Sequence, residues 1–71
     1  MSELVDIRSY CDDIHDEGGK VCIYKLSPTI YQVVGFMQSS RWGYFIEWDD
    51  YFPSEKEAYN RFFDILKNEF F

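Results

Sequence analysis

A chain of 71 residues holds one small hydrophobic core and has no room for a second. Its formal charge of −6 argues against a phosphate-binding surface, while 21% aromatic residues supply dense packing material. Two cysteines, Cys11 and Cys22, make no disulfide framework and fall inside periodic segments, so both read as reduced, buried thiols of a cytoplasmic protein. No secretory or transmembrane pattern stands out, and no membrane partner is expected.

In chain order, residues 2–17 read as a helix. Leu4, Ile7, Cys11 and Ile14 recur at steps of three and four, Ser2 suits the N-cap, and Gly18-Gly19 suits the stop. Residues 20–26, KVCIYKL, read as a strand, and Ser27-Pro28-Thr29 as a turn. A second strand is expected over 30–37, where Gly35 marks a bulge or a close approach. A third follows the polar turn QSSR, over 42–49. Its alternation assigns Trp42, Tyr44, Ile46 and Trp48 to the core face and Phe45, Glu47 and Asp49 to solvent.

The last element is the best specified. Ser54 and Glu57 form an S-x-x-E capping box, and Ala58, Phe62, Ile65 and Leu66 make the apolar stripe of a helix over about 54–69. The expected fold is therefore α+β over residues 1–71, in the order α-β-β-β-α, with a three-stranded antiparallel meander and two helices packed on one face.

That order is similar to the double-stranded-RNA-binding domain, and SEKEAYNRFFDIL resembles the start of that family's second helix, with Ser54, Lys56, Ala58 and Asn60 at matching positions. Of the three positions where the family is basic, here Glu55, Lys56 and Tyr59, Lys56 alone is a cation, and SPTI replaces the family's G-P-x-H loop. A hairpin running into such a helix also looks like the AP2-type DNA-binding domains. Either resemblance implies a nucleic-acid module using Lys20, Lys25, Arg41 and Trp42, or Lys56 and Arg61.

Charge is placed unevenly: residues 1–19 carry −5, residues 20–46 carry +3 and residues 47–57 carry −4. Acids in the last turns of the expected first helix oppose its dipole. That cost without local benefit points to Asp12, Asp13, Asp16 and Glu17 as a docking patch, together with Glu47, Asp49, Asp50 and Tyr51. The matching partner is a basic protein or nucleoprotein, and direct nucleic-acid binding is disfavoured. By analogy, compact acidic chains are frequent among phage-encoded inhibitors, anti-CRISPR proteins included, in which acids mimic nucleic-acid phosphates.

On a helix, Cys11 with His15 and Asp12 with Asp16 have chelating spacing, but Cys11 belongs to the apolar stripe and no metal or other cofactor is expected. No nucleophile–base pair or phosphate loop is present, so the chain is not expected to be an enzyme. The reading is a non-enzymatic interaction domain, an inhibitor or adaptor. The alternatives are the nucleic-acid module and a structural homo-oligomer, a homodimer in the simplest case, built on the aromatic surplus and an open sheet edge.

Overall fold

The computed structural model describes residues 2–12, 17–39, 41 and 43–69. Its elements are β1 (Glu3–Asp12), β2 (Glu17–Ser27), β3 (Ile30–Ser39), β4 (Gly43–Phe52) and α1 (Glu55–Glu69). The strands form one antiparallel sheet in chain order, β1-β2-β3-β4. The expected α-β-β-β-α order, with three strands and two helices, is thus corrected to four strands and one C-terminal helix among the described residues.

The correction falls on residues 3–12 and 17 of the expected first helix, residues 13–16 with Ile14 lying outside the described residues, and a bulge explains it. Leu4 pairs with Tyr24 and Asp6 with Ile23, leaving Val5 unpaired. One extra residue turns a strand's period of two into a spacing of three, so Leu4 and Ile7 share a sheet face. Cys11, four residues further, falls on that face by ordinary alternation. A strand with one bulge therefore carries the same 4, 7, 11 spacing as a helical stripe. Gly18 and Gly19 end no helix; they pair with Cys11 and Tyr10 inside the ladder.

The helix covers one sheet face. Val21 and Ile23 of β2, Tyr31 and Val33 of β3, and Ala58, Phe62 and Ile65 of α1 form the buried cluster, with Val5, Met37, Trp48, Phe52, Tyr59 and Leu66 packed around it. Phe62 and Ile65 are fully buried, each worth about 1.5–3 kcal/mol. The helix packs on β2, β3 and β4. Val5 of β1 packs against the same cluster, and the Tyr59 hydroxyl of the helix donates to Asp6 Oδ2 of β1 at 3.1 Å.

The expected cap forms. Glu57 N–H donates to Ser54 Oγ at 3.3 Å, the Ser54 hydroxyl donates to Glu57 Oε2 at 3.1 Å, and Ala58 N–H donates to the Ser54 carbonyl at 3.1 Å. Glu55 and Glu57 in the first turn and Lys67 in the last complement the helix dipole.

A second bulge re-sorts β4. Gly35 pairs with Trp48 and Phe36 with Ile46, so Glu47 is extra. Ile46 and Trp48, expected on one face, point to opposite faces: Trp48 joins the core side and Ile46 the uncovered side.

Candidate functional site

The face of the sheet turned away from α1 has no layer over it among the described residues. Alternation and register place Leu4 and Ile7 of β1, Cys22 and Tyr24 of β2, Val34 and Phe36 of β3, and Ile46 and Tyr51 of β4 on this side. Leu4 and Ile7 are exposed, while Ile46 is 59% and Tyr51 58% exposed. An antiparallel sheet with one solvated face alternates apolar-in with polar-out. Here the outward set mixes those apolar side chains with the polar Ser9, Lys20, Gln32, Gln38 and Asp49.

At the centre Ile7, Lys20, Cys22, Tyr24 and Phe36 line a shallow bowl of about 430 Å³. Cys22 is among the residues lining it and is 3% exposed, although no element lies over this face among the described residues. Burial pushes its thiol above the ordinary 9.0, against a Tyr24 hydrogen bond and the Lys20 charge, which both pull it down. The thiol is therefore protonated and poorly nucleophilic at neutral pH. Cys11, expected to be buried beside it in sequence character, is exposed on β1, and both cysteines are reduced.

The charges of this face are few. Among the described residues, register puts Lys20 and Asp49 there, and the unpaired Glu47 stands exposed at the bulge beside Ile46. Gln32, the neighbour of Tyr51 across the ladder, donates from Nε2 to Asp49 Oδ1 at 2.9 Å and to Tyr51 Oη at 3.3 Å. This fixes the Asp49 carboxylate and the Tyr51 ring at the β4 rim.

Among the described residues, the backbone separates the acidic positions singled out from sequence. Asp12 and Glu17 are the last pair of the β1–β2 ladder, at its hairpin end, and Asp13 and Asp16 lie outside the described residues. Asp49 pairs with Val34, which pairs with Cys22, five positions along β2 from Glu17 and two strands across. Strand rise and spacing put the two groups about 19 Å apart.

Asp50 points to the opposite side of β4, where Arg61 Nε donates to its Oδ2 at 3.1 Å while Arg61 Nη1 reaches Asp64 Oδ2 at 3.0 Å. That carboxylate is engaged within the fold, and Arg61, expected as a phosphate contact in the nucleic-acid alternative, is held by two acids. Glu47 stands exposed at the bulge.

The dipole argument for the first acidic patch lapses with its helix, since β1 has no macrodipole of that kind. So does the helical chelate of Cys11 with His15, because Cys11 stands in a strand and His15 lies outside the described residues. Trp42, Phe70 and Phe71 lie outside them as well.

Sequence reasoning passed over Ile7, Cys22, Tyr24, Val34, Phe36 and Ile46 as a site. One signal was present: the strands of residues 20–26 and 30–37 are apolar on both faces, which a sheet covered on one side does not need.

Among the described residues no helix is long and apolar enough to cross a membrane. No protein-family model, curated protein or solved structure matches the chain.

Proposed function

We propose that the chain is a non-enzymatic protein-interaction domain that docks through the open face of its sheet, with Asp49 and Tyr51 at the rim. One observation carries the reading: the apolar, charge-poor surface made by Leu4, Ile7, Tyr24, Phe36, Ile46 and Tyr51 on a chain otherwise rich in acids. The core of a protein interface is marked by loss of charge and gain of aromatic residues, with polar groups at the rim. The exposed acids keep the rest of the molecule soluble and fend off acidic partners.

The testing experiment is affinity capture with the tagged chain beside its Ile46→Lys variant. Ile46 is 59% exposed, so the change leaves the core intact. A discrete protein retained by the wild type and released by the variant, at an unchanged unfolding midpoint, supports the reading. The same protein retained equally by both overturns it. A variant with Asp12, Asp13, Asp16 and Glu17 changed to Ser or Gln reports on the hairpin end separately; loss of retention there, with Ile46→Lys silent, moves the site off the sheet face.

A further inference from the structure

We infer that the occupant of the open sheet face is a second copy of this chain, paired face to face into a four-layer α-β-β-α sandwich. This rests on the open-face reading and names its partner.

Shape is the first ground. The Cα trace spans 40 × 23 × 14 Å, a slab of one helix layer on one sheet, with a radius of gyration of 12.7 Å. A compact domain of this length has a radius near 11 Å. A sheet that is apolar on both faces calls for a layer on each, and this chain supplies one. A twofold partner supplies the other by presenting the same face, with the two sheets stacked about 10 Å apart as in sandwiches.

Size is the second. Four paired strands of ten or eleven residues give a face of about 33 × 19 Å, or roughly 600 Å² in projection. With side-chain relief this approaches the ~800 Å² per partner that a stable complex buries. The slab is thus large enough to hold a copy of itself without help from loops or tails.

Charge is the third. The register-paired charges of the face, Lys20 and Asp49, are one of each sign, so these positions bring no net repulsion between two copies, and the exposed Glu47 lies at the bulge of the edge strand β4. A basic partner, by contrast, gains one carboxylate and meets one ammonium on this surface. Homodimer interfaces are also the more apolar class, which suits a face whose centre is Ile7, Cys22, Tyr24, Val34 and Phe36.

The test is sedimentation equilibrium of the full chain from about 1 µM to about 500 µM, where a self-associating fold shows concentration-dependent mass. The expected result is a species of twice 8.6 kDa. Ile46→Lys and Ile7→Glu should each weaken it by at least about tenfold, because the twofold buries two uncompensated charges per dimer. Phe63→Glu, on the helix and 53% exposed, should leave it unchanged.

A monomer throughout the range overturns the inference, and leaves the capture result above to stand or fall by itself. A dimer indifferent to both sheet-face variants, or abolished by Phe63→Glu, overturns it too. Should a sheet-face variant fail to fold, the wild-type face can be read directly in a Cys11→Ser background. Modification of Cys22 by a thiol reagent should then quicken on dilution as the face is uncovered. A rate independent of protein concentration across the dimerisation range contradicts the inference.

Discussion

The indole of Trp48 lies over the backbone of Gly35, its cross-strand partner, in the space a side chain at that position would need. A Cβ built on Gly35 runs into Trp48 Cε3 and comes within 3.0 Å of Cζ3. The glycine is required for this close approach, next to the bulge that turns Ile46 outward.

Gly35→Ala should therefore destabilise the fold by about 1–3 kcal/mol, the usual cost of overpacking. Trp48→Leu in the same chain makes room, so the double variant should lose less than the sum of the two. Chemical denaturation of the three variants measures the coupling. Additivity would mean that the ring and the glycine do not constrain each other.

Ser54→Ala removes the acceptor of the Glu57 N–H and the donor to its carboxylate. The expected loss is about 1 kcal/mol, or a fall of roughly 4–8 °C in melting temperature for a domain of this size. Circular dichroism melts would show it. Ser54→Asp should recover most of the loss, since a carboxylate also caps and faces the positive helix end.

Tyr59 titrates above its ordinary 10.0, first because burial disfavours the phenolate and then because its hydrogen bond to Asp6 and the Asp6 and Glu55 charges favour the neutral form, against Arg8. A folded-state value above the unfolded one means that the native state holds this proton more tightly. The contribution to stability is complete below pH about 10 and declines as pH rises from there through the folded value. Asp6→Asn keeps an acceptor for the hydroxyl and removes the charge. It should lower the Tyr59 midpoint, read as the phenolate absorbance difference against Tyr59→Phe. An unmoved midpoint would rule out the carboxylate as a cause.

The two thiols should separate kinetically. Cys11 is exposed on β1, whereas Cys22 is buried with its pKa raised. At neutral pH a disulfide reagent should modify one thiol rapidly and the second slowly, with both rapid in denaturant. Cys11→Ser should remove the fast phase alone. Loss of the slow phase in that variant would exchange the assignments.

What could be read from the sequence follows how locally each element is encoded. The helix was legible in full, because Ser54, Glu57 and the Ala58/Phe62/Ile65 stripe are signals within one segment and nothing in the fold overrides them. The strands over 20–26 and 30–37 were legible as well, each extended by a few residues in the ladder. Their facing was also readable, with Val21 and Ile23 on one side and Cys22 and Tyr24 on the other.

The misreadings share one cause. At Val5 and at Glu47 a bulge inserts one residue, and the side-chain period that sequence reading depends on slips by one. At the first site the slip imitated a helix; at the second it put Ile46 with the core. The first bulge has no local marker; the second falls at Gly35, the position expected to mark a bulge or a close approach, but that glycine does not tell that the extra residue is in the facing strand. The open face was hidden for the same reason, since two of its members, Leu4 and Ile46, are placed there by those slips.

β1 occupies a singular place in this architecture. It is bound along its length to β2, and among the described residues a hydrogen bond from the Tyr59 phenol to Asp6 ties it to the helix. Strands held by a single ladder open below the global unfolding free energy, and their amides exchange with solvent first. When β1 lifts away, β2 becomes an edge, with its row of N–H and C=O groups unpaired and Val21 and Ile23 already aligned on the helix side. β1 therefore screens the edge of β2 as well as closing the sheet, and its ladder keeps that row of backbone groups out of reach of other chains.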